Sequence, residues 1–348
     1  MTLLPILKVL ASASVGVLLF HVLHLPMPWL LGPIFSVMLA QLTIRTSWEW
    51  PGWLRDSGLV LLGAAVGEAF TRAAFANIGH YVLYMLMLNI VLLLFCVLLA
   101  YVTQKLTGLS FITALTASIP GGMSQSVTFA EEQKNIDLGA VTYFQVIRVL
   151  SIVSIVPFIV SGQMLPEAGE QAAAPLWKII VYLLLAFASV PMGKKLKLPV
   201  ANFLSPILVG IVINAIGIQP PTIPDSMLHA AQLAIGAYIG LLLKPDMIKL
   251  PWKVAVMGLL SALVLLLFSY GCSIVLAKLM HIDMITSFLS SAAGGMDQMS
   301  LIAAAMKADT AIVTLFQLFR LLFIYFIVFP LLQWTARKVT ASSSISSG

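Results

Sequence analysis

A constant offset of 173 residues runs through this chain and limits what it can fold into. Pro26 and Pro33 of LPMPWLLGP reappear as Pro199 and Pro206 of LPVANFLSP, and Gly63 and Gly67 reappear as Gly236 and Gly240. Gly121-Gly122-Met123 of SIPGGMSQS returns as Gly294-Gly295-Met296 of SAAGGMDQM. The segment that follows repeats at 172, so that FQVIR (Phe144 to Arg148) matches FQLFR (Phe316 to Arg320). A long apolar unit, copied once and broken by glycine pairs at matching places, is the pattern of a duplicated membrane transporter with its site between the copies.

Apolar runs of spanning length follow one another through both copies. With 9% charged residues and a mean hydropathy of +1.04, the chain has too little polar surface for a water-soluble fold. It divides into a first membrane repeat (1–162), a polar joint (163–175), a second membrane repeat (176–339) and a Ser-rich tail (340–348) expected to be disordered. A formal charge of +6 would suggest nucleic acid in a soluble protein. Here the basic residues sit in short loops between apolar runs, so the expected partners are membrane lipid and a small substrate, and no nucleic acid. The N-terminal run after Lys8 resembles a signal peptide, but its counterpart near Trp177 lies mid-chain, and it reads as a retained first span. Cys96 and Cys272 fall inside apolar runs and are not repeat equivalents, so they read as small buried hydrophobes.

The fifth segment of each copy is unlike the others. Pro120-Gly121-Gly122 and Ala293-Gly294-Gly295 interrupt it at the centre. Glycine pairs let the backbone turn, and proline removes a donor and disfavours helix before it. The segment is either a broken spanning helix or a re-entrant hairpin, and its irregular backbone should line a cavity. Charge placement separates the two. If the fifth segments turn back, the loop Lys and Arg residues divide 13 inside to 4 outside; if they cross, the division is 8 to 9. The positive-inside bias favours the first. The expected fold is therefore an all-α polytopic membrane protein of two inverted five-helix repeats, each with a Gly-rich re-entrant element. Both termini are then cytoplasmic.

The candidate binding residues lie at and behind the two tips: Gly121, Gly122, Ser124, Gln125 and Ser126 in one, Gly294, Gly295, Asp297 and Gln298 in the other. A helix starting after each glycine pair aims free N–H groups at mid-membrane, a place for an anion or a dipole. Tight packing through small residues is the alternative reading. It is preferred for Gly63/Gly67 and Gly236/Gly240, which lack polar neighbours. Thr142, Gln145 and Arg148, with Thr314, Gln317 and Arg320, lie three apart on one side of each following helix. An arginine in mid-span marks a pathway or an ion pair. The ion-pair reading would join Arg148 to Glu131 or Glu132 and Arg320 to Asp297; it stands level with the pathway reading, and the two are compatible. Asp297, whose repeat counterpart is Ser124, is the first candidate for ion coupling and Glu131 the second. Asp137 and Asp309 read as helix caps, and the proline motifs read as scaffold.

With these motifs in view, the chain resembles the AbrB-duplication membrane-protein family over essentially its whole length. Members are labelled ammonia monooxygenases or regulators of gene expression. The resemblance implies a bacterial inner-membrane protein related to the cation–proton antiporter and anion transporter superfamily. The expected function is secondary transport of a small anionic or zwitterionic metabolite, coupled to protons or a cation, in an assembly compatible with a homodimer. The alternative is indirect regulation of gene expression through a sensed or transported metabolite. An enzyme is not expected: copper or iron chemistry needs clustered ligands, and of His21, His24, His80, His229 and His281 only the first two share a helical face. No metal or cofactor is anticipated.

Overall fold

The computed structural model describes residues 3–44, 46–71, 78–133, 135–161 and 174–333, which are helices and connecting segments without a strand. The joint 163–173, the tail 340–348 and the side chain of Ser124 lie outside the described parts. In the first copy the helices are α1 (Leu3–Val22), α2 (Pro28–Thr43), α3 (Gly52–Glu68), α4 (Ile78–Thr107), α5 (Phe111–Ser118), α6 (Met123–Glu132) and α7 (Leu138–Ser161). In the second they are α8 (Leu176–Lys195), α9 (Ala201–Ala215), α10 (Asp225–Gly240), α11 (Trp252–Met280), α12 (Met284–Ser291), α13 (Met296–Ala305) and α14 (Thr310–Phe323). A π-helical stretch, Ile324–Val328, extends α14. Each helix of one copy has its counterpart in the other, with starts 172 to 174 residues apart.

The duplication reaches the backbone. His24 and Lys197, Met27 and Val200, and Gly108 and His281 are repeat pairs, and all six adopt positive φ. Met27 and Val200 are the residues immediately before α2 and α9. A left-handed β-branched residue such as Val200 is strained, so this turn into the second helix is held by its surroundings in both copies.

Six helices are long and apolar enough to cross a membrane: 4–22, 81–107, 138–161, 176–195, 252–280 and 310–333. α2 and α9 are shorter and equally apolar. The chain is an all-helical integral membrane protein.

Two compact units each draw on both copies. The first comprises 1–80, 153–245 and 297–314, the second 81–152, 246–296 and 315–348. In the first unit, α2 runs beside α10 and α3 beside α9, at backbone contact. A Cβ on Gly236 would lie 2.7 Å from the Leu30 carbonyl oxygen, and one on Gly240 2.7 Å from that of Ile34. Gly63 and Gly67 stand in the same way against Phe203 and Ile207. The packing role expected of these four glycines is what the fold assigns them, since lipid offers no hydrophobic drive and close approach must supply the cohesion. The contacts advance together along both helices, so each pair is parallel. α3 and its own repeat partner α10 instead run antiparallel. Arg55 lies over the Tyr238 ring at 4.4 Å, Gly58 meets Ala231 and Ile235, and Ala65 and Leu228 pack on one cluster.

In the second unit, α4 and α11 are the long helices, with Phe95 and Phe268 stacked at 3.8 Å. Ser273 and Ser269 of α11 accept bonds through their carbonyls from Ser287 and Ser291 of α12, at 2.7 and 3.0 Å. The segment α5–α6 turns back on itself. Eight and ten residues laid end to end would separate its ends by more than about 25 Å. Yet the Asp137 N–H, just beyond α6, donates to Thr113 Oγ1 in the first turn of α5 at 3.1 Å. Of the two forms expected for this segment, the first copy has the hairpin.

Candidate functional site

Each broken segment leaves two helix ends inside the fold, and each end has orphan backbone groups. α5 stops because Ile119 is extended (φ −66°, ψ 127°) and Pro120 follows. Its last carbonyls are taken up by α7. The Gln145 amide donates to the carbonyls of Thr116, Ala117 and Ile119 at 3.3 Å each. Arg148 donates to Ile119 at 3.0 Å and to Gly121 at 3.4 Å, and braces itself on Gln145 Oε1 at 2.6 Å.

The second copy repeats the clasp. Gln317 donates to Leu289 at 2.7 Å and Ala292 at 3.0 Å. Arg320 donates to the carbonyls of Ala292, Ser290 and Ser291, the last two at 2.9 and 3.0 Å, and to Gln317 Oε1 at 3.3 Å. These four side chains are at most 4% exposed. A guanidinium on the last carbonyls of a helix satisfies the orphan acceptors and complements the negative end of its dipole. Both arginines lie ten residues into their helices, about 15 Å, or half the hydrocarbon thickness of a bilayer.

Arg148 makes no ion pair with Glu131 or Glu132. An ion pair does form between the neighbours Arg55 and Asp56, at 4.0 Å. Glu131 and Glu132 are exposed in the last turn of α6, about 12 Å along the helix from the tip. Asp297 stands in the first turn of α13, against the backbone N–H groups of its own residue and Gln298, a position where the helix dipole favours an acid.

The hairpin tips carry polar atoms with nothing to bond. α6 starts at Gly122 without a side-chain cap. Gln125 Oε1, Ser126 Oγ and Gln298 Oε1 are buried without a hydrogen-bond partner, as are the Nε atoms of Arg148 and Arg320. The Gln125 amide folds over the tip, where a Cβ on Gly122 would come within 2.7 Å of Oε1. Gly121 faces Ser126 and Ile324. Behind the first tip, Arg148, Ser118 and Ser261 line a cavity of about 10 Å³, room for one water.

The two expected trios lose their threonines. Thr142 bonds back to the Leu138 carbonyl at 2.7 Å, and Thr314 to Ser300 at 2.7 Å. Asp137 and Asp309 are helix caps as expected, accepting from Ala140 N and Ile312 N at 3.0 Å each. Sequence reasoning missed the caps that begin α5 and α12, Ser110 on Thr113 N and Asp283 on Thr286 N. Their position just before an apolar eight-residue run was the available signal. Among the described residues no three His, Cys, Asp or Glu side chains come together as metal ligands.

The chain is 26% identical over 309 residues to a protein of Escherichia coli (strain K12) named "Putative regulator AbrB", covering 87% of this chain and 88% of that one. It is 23% identical over 352 residues to "Uncharacterized protein YhjN" of Bacillus subtilis (strain 168), covering 92% and 90%. Residues 2–115 and 29–336 match the family described as Transition state regulatory protein AbrB, and with a match of that length the chain belongs to the AbrB family.

Proposed function

We propose that this chain is a secondary transporter of a small anionic or zwitterionic metabolite, driven by protons or a cation and binding its substrate at the two glycine-rich tips. The observation that carries the reading is the set of buried tip atoms without partners: Gln125 Oε1, Ser126 Oγ and Gln298 Oε1. Each such atom costs about 1–3 kcal/mol, and a passing substrate that supplies the missing partner is a reason to keep it. Substrate charge follows from the guanidiniums behind the tips, which are balanced by carbonyl dipoles alone. Asp297 is the coupling residue, and no reaction is carried out on the cargo.

The topology in this reading is ten spans and two re-entrant hairpins in inverted repeats, in the bacterial inner membrane with both termini cytoplasmic. Antiparallel packing of the repeat partners α3 and α10 supports inversion, because copies of like orientation would run these helices the same way. The 13-to-4 division of loop cations supports the same orientation. The name of the Escherichia coli relative favours one further reading, an effect on gene expression. In this chain such an effect runs through the metabolite it moves.

The test is thermal unfolding of the purified protein against a panel of carboxylates, amino acids and inorganic cations. At least one carboxylate-bearing compound should stabilise the wild type by several degrees and fail to stabilise Gln125→Ala. The same compound should accumulate in proteoliposomes under an ion gradient. Binding without gradient-driven accumulation would leave a sensor and rule out a carrier.

A further inference from the structure

A second cavity, of about 390 Å³, lies wholly within the first compact unit, among α1, α2, α3 and α10. We infer that it holds one acyl chain of a membrane phospholipid, with the ester end of the lipid at His229. The inference is independent of the transport reading.

The cavity wall grades from polar to apolar along α10. Ser226 and His229 stand in the first two turns, Leu233 and Ala234 in the third, and Leu10 and Leu54 complete the wall. The His229 ring stacks on Trp29, centroids 5.1 Å apart and planes 10° from parallel. Trp50 has its indole N–H bonded to the Ala234 carbonyl at 2.9 Å, so it offers the cavity a ring face and no donor. No charged side chain lines the space. An ionised metabolite would find no counter-charge there, whereas a chain ending in an ester finds an apolar slot and an imidazole with a hydroxyl at its rim. Rings with one apolar and one polar edge are suited to that depth of a bilayer.

The duplication supplies an internal control. Leu10, Trp50, Leu54 and Leu233 correspond to Leu183, Ile223, Met227 and Val60 in the other copy. Those four close on one another in a core cluster, with Ile223 and Val60 each 3% exposed. Trp29 and His229 correspond to Asn202 and Asp56. The first copy has the equivalent inner cluster, with Trp50 and Leu233 packed on Val9, Ala13 and Ala237. What differs is the edge of the cavity, where Trp29, Trp50 and His229 place three aromatic rings and the second copy has Asn202, Ile223 and Asp56.

The test is native mass spectrometry of the full chain extracted in mild detergent. The wild type should retain one phospholipid per chain. Ala230→Phe, which sends a ring from the exposed rim into the cavity, should retain none while unfolding at the same temperature or higher. Leu54→Trp fills the same space from α3 and should behave alike, so the test survives if one variant fails to fold. Leu18→Phe, on the 65% exposed outer face of α1, should keep its lipid. A wild type free of lipid, equal retention by both filling variants, or a non-lipid small molecule leaving in their place would each overturn the assignment.

Discussion

Two buried arginines are the costliest residues in this chain, and what they touch explains why they persist. A bare guanidinium in mid-membrane is expensive, and no carboxylate relieves either of them among the described residues. Each instead forks onto the carbonyl end of a short helix, a geometry that the planar, multiply donating head of arginine can make and the point charge of lysine cannot. Arg320→Lys should therefore destabilise the protein by about 2 kcal/mol or more, because each orphaned buried carbonyl costs about 1–3 kcal/mol. Ligand-dependent stabilisation should go with it. Thermal unfolding with and without substrate checks both; wild-type behaviour of the lysine variant would mean that charge alone matters there.

At the scale of the element, the hairpin tip is a compromise between two helix ends. The carbonyl end is clasped by Gln145 and Arg148, and the amide end begins at Gly122 without a side-chain cap. At 122 what favours glycine is proximity, since its φ of −61° is open to any residue. A methyl group there would strike the end of the Gln125 side chain, which can swing away. Gly122→Ala should thus insert and unfold like the wild type yet lose uptake about tenfold, the effect of misplacing one interaction worth ~1.4 kcal/mol. Initial uptake rates at matched protein levels would measure it, and unchanged rates would remove Gln125 from the site. The α2–α10 and α3–α9 pairs are different in kind. There a Cβ would meet backbone, which cannot yield, and the glycines serve packing.

For the whole molecule, the repeats and the compact units are not the same division of the chain. Each unit draws on both copies, but not evenly: 297–314 falls in the first unit, while its repeat counterpart 124–141 falls in the second. Orientation is the property that tests this arrangement most directly. A reporter fused within the joint 163–175 should appear outside, and reporters at 194–197 and at the C-terminus inside. A cytoplasmic joint would remove the inverted topology and restore six crossings per copy.

Much of this was legible in the residues. Apolar run length and the repeat offset determined an all-helical duplicated membrane protein, because a bilayer-length apolar segment must form its hydrogen bonds within itself. The Gly-Gly breaks located the tips, and the spacing of Gln145 with Arg148 and of Gln317 with Arg320 marked one helix face. Their purpose was decided only by tertiary contact. No spacing rule states that a guanidinium will meet a helix end 27 to 30 residues earlier in the chain. The Thr113–Asp137 bond that closes the hairpin lies across 24 residues, and the aromatic cavity opens where α10 meets the three helices at the start of the chain. Such outcomes depend on which helix faces come together, and the energies involved are set by burial and neighbours rather than by the local run of residues.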